Sequence, residues 1–167
     1  FEKDIKDYRS NLFETKPDLY VVKTFKAVEE VEVPKDMADS LKFTYYKSHF
    51  FDNIDLGDDR MMRTPIVDKR VERYLEKMTL QIPDSVIKEA DYLVGMCKPN
   101  SEMIKYVIIT ITNKYGASKI MCMDEVFVHM IEKYYKTGVA YWADSAQVEK
   151  LSDRARTMSW TACDQPA

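Results

Sequence analysis

Apolar residues recur at helical spacing along most of the chain, and the recurrences break where helix-ending residues cluster. Phe1, Ile5, Tyr8 and Leu12 predict a first helix, ended at Lys16-Pro17 because the residue before a proline is pushed out of the α region. Val21, Phe25 and Val28 mark a second, and Val31-Glu-Val-Pro34 reads as the linker after it. Met37, Leu41, Tyr45 and Ser48 carry an aromatic-rich third helix through Phe51. Asp52 to Asp59 reads as a loop, with Asp58 or Asp59 capping a short turn through Met62.

Val67, Val71, Tyr74, Leu75 and Met78 give a fourth long helix, and Pro83 opens a fifth, in which Val86, Ile87, Ala90, Leu93, Val94 and Cys97 keep the pattern throughout. The segment Met103 to Tyr115 is ambiguous, because Val107-Ile-Ile-Thr-Ile-Thr112 has strand propensity. Its length, an N-cap at Asn100 or Ser101 and a left-handed C′ residue at Gly116 favour a helix, the most buried of the set. Met123, Val126, Phe127, Met130, Ile131 and Tyr134 form the next, closed by Gly138. Val148, Leu151, Ala155 and Met158 form the last, with Asp144 or Ser145 as its N-cap. The expected fold is all-α: about eight helices in antiparallel hairpins, for which a compact bundle and a short α-solenoid both fit. Residues 1–160 are expected to be a single helical domain and 161–167 the start of a linker.

Composition narrows the classes of partner. Among 167 residues, 46% are hydrophobic and only four are glycine, which suits long elements and one sizeable core. A net charge of −3 lacks the basic excess that phosphate neutralisation requires, so nucleic acid is not an expected partner. No apolar run approaches the roughly 18 residues of a membrane-spanning helix. A chain opening on Phe1 reads as a piece of a longer protein. Cys97, Cys122 and Cys163 include no C-x-x-C pair; a Cys97–Cys122 bridge is one arrangement, three core thiols the preferred one.

The residue patterns mark no catalytic site, cofactor or metal centre. Asp52, Asp55, Asp58 and Asp59 lack calcium-loop spacing and read as capping residues. Glu125, His129 and Glu132 share a helix face and read as an ion-pair and hydrogen-bond group, with a metal-dependent enzyme as the rival. Lys69, Arg70, Arg73 and Lys77, interleaved with Asp68, Glu72 and Glu76, read as a solvated face. The candidate interaction surfaces are aromatic: Tyr45, Tyr46, His49 and Phe50 in one run, and Tyr134, Tyr135, Tyr141 and Trp142 around Gly138.

Several stretches carry a resemblance: His49-Phe-Phe-Asp-Asn-Ile-Asp55, Arg63-Thr-Pro65, Pro83 to Leu93, Lys105-Tyr-Val107 with Thr112 to Tyr115, and Met123 to His129 with Glu132 to Tyr135. Together they resemble an uncharacterised helical domain N-terminal to the thioredoxin fold in TlpA-like and AhpC/TSA-like thiol-disulfide oxidoreductases of gut Gram-negative bacteria. The resemblance implies a redox domain beyond Ala167, an exported periplasmic or lipid-anchored setting, and no chemistry of the helical domain's own. The expected function is then a non-catalytic accessory domain that positions its thioredoxin-like neighbour, recruits clients or mediates self-association. The alternative is a peptide- or glycan-binding domain using the aromatic surfaces.

Overall fold

A computed structural model describes residues 2–99 and 101–159. It contains eight α-helices and, among the described residues, no strand. The chain divides into two compact units, the first ending at Arg70 and the second beginning at Val71.

The first unit holds α1 (Glu2–Thr15), α2 (Tyr20–Val28), α3 (Asp39–Ser48), a 3-10 turn (Asp59–Arg63) and the start of α4 (Pro65–Arg73). Its core is built from Val22, Ala27, Phe50, Phe51, Ile54, Leu56, Met61 and Val67, all buried. The third helix is shorter than its pattern predicts. Ala38 has ψ 138, so the helix starts at Asp39 and not Met37. After Ser48 the amides of Phe50, Asp52 and Ile54 bond three residues back, to Lys47, His49 and Phe51, which makes tight turns of the stretch expected to continue the helix. Those turns drive Phe50 and Phe51 inward.

The second unit holds the end of α4, a π-helical turn (Tyr74–Met78), α5 (Pro83–Gly95), α6 (Glu102–Gly116), α7 (Asp124–Met130), a second π-helical turn (Ile131–Tyr135) and α8 (Ser145–Ser159). The ambiguous segment is helical. Ser101 Oγ accepts the Ile104 amide as its N-cap, while the alternative cap, Asn100, lies outside the described residues. Met103, Ile104, Val107, Ile108, Ile111, Thr112 and Tyr115 are all buried along α6, and α7 packs against α5, α6 and α8. Asp144 Oδ1 accepts the Gln147 amide at 2.7 Å and caps α8.

Two glycines were expected to end helices in the left-handed conformation, and only one does. Gly138 has φ +80. Gly116 is the last residue of α6 without a positive φ; a Cβ there would stand 2.9 Å from Phe127 Cδ2, so the glycine is needed for close helix packing. Trp160, Cys163 and the expected linker 161–167 lie outside the described residues, as does Phe1.

Candidate functional site

The first unit contains a cleft of about 800 Å³ that periodicity does not reveal. One wall is α1, through Ile5, Arg9, Ser10 and Phe13; the other is the chain after α2, Glu29 to Glu32, with Asn53 beside it. Helix α2 stops because Glu29 turns to φ −67, ψ 135, and the β-branched, prolyl sequence that follows has no reason to return to helix. Arg9 rests its guanidinium 5.0 Å from the Phe25 ring centre. The Glu29 carbonyl is held by Arg70 Nη2 at 2.8 Å and Asn53 Nδ2 at 3.2 Å. The lining is therefore part apolar and part acidic, over a backbone fixed at one end.

Arg70 overturns the expectation of a solvated face. It is 7% exposed, lies over the Phe50 ring at 5.1 Å, donates to the carbonyl of Glu29 and faces Glu30 Oε2 at 3.8 Å. Its position three residues after Val67 and four before Tyr74 places it on the apolar stripe.

The first aromatic run is anchored inward as much as outward. Tyr45 stacks on His49 with ring centres 4.0 Å apart, Tyr46 donates to Glu30 at 2.6 Å, and Phe50 is buried. The acidic loop is a capping network. Asp58 accepts the Arg60 amide and, with Asp55, receives Lys23 Nζ at 2.7 and 3.3 Å. The hydrogen-bonded Arg60 guanidinium, with Lys23, holds the Asp58 carboxyl far below the usual carboxylate range despite the opposing effect of burial.

In the second unit Asp91 on α5 gathers the His129 group. Its Oδ1 accepts from Tyr134 at 2.6 Å and lies 3.0 Å from His129 Nε2, and its Oδ2 accepts from Lys133 at 2.7 Å. Burial raises the Asp91 pKa, but the three donors, Lys133 foremost, outweigh it and leave the carboxyl below its ordinary value. Burial and the bond to Asp91 push the Tyr134 phenol up. A carboxylate saturated by three donors braces α5 against α7 and is poorly placed to take a further proton. Glu132 is turned away to Lys136 at 2.5 Å. Sequence spacing found His129 and missed Asp91, since the pair joins residues 38 apart.

Tyr134 and Tyr135 are buried, whereas Tyr141 is 45% exposed and meets Trp142 edge-on at 5.1 Å. Tyr141 Oη lies 3.3 Å from the Ser101 carbonyl, at the start of α6. The cysteines depart from the preferred arrangement: Cys97 is buried outside any disulfide, its thiol donating to the Leu93 carbonyl, and Cys122 is disulfide-bonded. Cys122 also takes φ +67, a left-handed conformation that costs a non-glycine residue about 1 kcal/mol.

The profile of a family described as "Domain of unknown function (DUF5106)" matches residues 8–159. The chain belongs to that family. No curated protein and no solved structure matches it. The DUF5106 match takes in both units, the Asp91 group, and every cleft residue named above except Ile5.

Proposed function

We propose that this DUF5106 domain is a non-catalytic accessory module that holds polypeptide clients for a thioredoxin-like domain following it, outside the cytoplasm. The cleft between α1 and residues 29–32 carries the reading. Its volume falls in the range of ligand clefts, roughly 300–1,000 Å³, and its lining combines apolar side chains with a few fixed polar groups, as peptide recognition requires. The resemblance to helical domains preceding thioredoxin folds supplies the redox neighbour. The disulfide at Cys122 supports an oxidising compartment.

The test compares the full-length protein with a version lacking residues 1–160, on a disulfide-bonded protein client and on a small-molecule disulfide. Removal is expected to raise KM for the protein client and leave the small disulfide unaffected. Equal KM for the client in both versions, with equal oligomeric state, overturns the reading.

A second reading, glycan binding, is favoured by the exposed Tyr141 ring beside Trp142, the kind of aromatic platform on which sugars stack. Quenching of tryptophan fluorescence by soluble oligosaccharides, abolished by Tyr141→Ala, would support it; unchanged fluorescence would remove it.

A further inference from the structure

We infer that residues 29–34 form an open strand, on which an extended, basic segment of a client polypeptide pairs edge to edge. The inference deepens the client-holding reading and rests on it.

The segment Glu29-Glu-Val-Glu-Val-Pro34 alternates in the period of a β-strand: Val31 and Val33 are half-buried and Glu32 between them is exposed. Among the described residues there is no strand for it to pair with. Among the described residues, the backbone amides and carbonyls of Val31, Glu32 and Val33 make no hydrogen bond within the protein. Three consecutive residues with unpaired backbones beside a cleft offer the template that strand addition uses, with main-chain bonds giving affinity and side chains giving selectivity. The strand is preorganised, because Arg70 and Asn53 both clamp the Glu29 carbonyl, which lowers the ordering cost of binding.

Charge decides the occupant. Glu30 is engaged by Tyr46 and Arg70, whereas Glu29 and Glu32 have exposed side chains with no ion-pair partner among the described residues. Arg9 is the one cation among the described residues that line the cleft, and it lies over Phe25. A second copy of this acidic strand would set like charges opposite each other, which is destabilising. Pro34, lacking an N–H, ends the edge and further discourages self-pairing. A strand alternating lysine or arginine with apolar residues meets Glu32 with its charges and Phe13 and Ile5 with its apolar side chains, while Glu29, on the other face, adds negative charge at the end of the edge.

The test titrates the full chain, by fluorescence anisotropy, with three labelled pentapeptides. One alternates lysine and valine, one replaces lysine with glutamate, and one is the lysine peptide N-methylated at alternate amides. The lysine peptide is expected to bind about tenfold more tightly than either of the others, the weight of one or two lost hydrogen bonds or charge contacts. The variant E29K/E32K, with helical circular dichroism intact, is expected to reverse the preference between lysine and glutamate. Equal binding of the N-methylated peptide rules out strand pairing, and equal binding of the glutamate peptide rules out the charge rule. Either result leaves client holding itself standing. If no peptide binds, the open-strand inference falls; if removal of the domain also leaves client KM unchanged, client holding falls with it.

Discussion

Single residues in this fold are decided by what surrounds them more than by their intrinsic preferences, and two glycines show it. Alanine is the better helix former by about 1 kcal/mol, so propensity alone favours Gly116→Ala. The added methyl would meet the Phe127 ring at 2.9 Å in a packed interior, where overpacking costs about 1–3 kcal/mol. Net destabilisation of up to about 2 kcal/mol is expected, measured as a lower urea midpoint. Gly95, the last residue of α5, has nothing within 4 Å of its missing Cβ. Gly95→Ala is therefore expected to stabilise, by about 0.4–1 kcal/mol. Arg70 makes the opposite point about a charge. Arg70→Ala leaves the Ala27 carbonyl without its donor and uncovers Phe50, an expected loss of roughly 2–4 kcal/mol. Arg70→Lys keeps the charge but loses the planar fork, and thermal unfolding should place it between the alanine variant and the parent.

At the scale of elements, the two π-helical turns do a similar job on opposite sides of α5 in the sequence. Tyr74, opening the first, donates to Glu89 at 2.5 Å; Tyr134, within the second, donates to Asp91 at 2.6 Å. The widened turns leave carbonyls that other groups must satisfy. Thr79 Oγ1 and Gln81 Nε2 take those of Tyr74 and Leu75, and the Ala140 amide takes that of Tyr134. Asp91→Asn removes the charge at the centre of the second brace and is expected to cost about 1–2 kcal/mol at neutral pH, the value of charged hydrogen bonds discounted for a site one-quarter exposed. Because the folded-state pKa of Asp91 lies below its unfolded value of about 3.9, that contribution is complete above pH 4. It fades as the pH falls through the lower folded-state value. Unfolding curves of the parent and Asp91→Asn should converge in acid, and a double-mutant cycle with Tyr134→Phe should show coupling at pH 7 that disappears there.

These elements also show what periodicity can and cannot carry. The stripe of α5 and the capping aspartates at 58 and 144 were legible because each is a local pattern with a local cause. The π-turns were not, since Tyr74–Met78 and Ile131–Tyr135 contain no proline or glycine and differ from an α-helix only in which carbonyl each amide finds. Asp91 and the cleft were hidden for a different reason. Both depend on residues distant in sequence, and the strand at 29–34 looks like an ordinary linker until the backbones of Val31, Glu32 and Val33 are seen to have no partner among the described residues.

For the whole molecule, the two units should differ in how readily they open. Local stability follows buried apolar contact and the protection of backbone bonds. In the second unit α6 is buried along almost its full length and α7 contacts three other helices. In the first, the described side chains of α1 are exposed except for Leu12 and Phe13, which are half-buried, and the amides of Val31, Glu32 and Val33 have no partner among the described residues. Native-state hydrogen exchange should therefore find α6 amides exchanging only with global unfolding, α1 amides exchanging through smaller openings, and Val31 to Val33 exchanging fastest. The ranking bears on function because a cleft walled by the least protected helix can adjust to different client segments without disturbing the core. Saturation with the lysine–valine peptide should then slow exchange at Val31, Glu32 and Val33 and leave α6 unchanged. Slowing confined to α6 or α7 would place the peptide elsewhere, on the second unit.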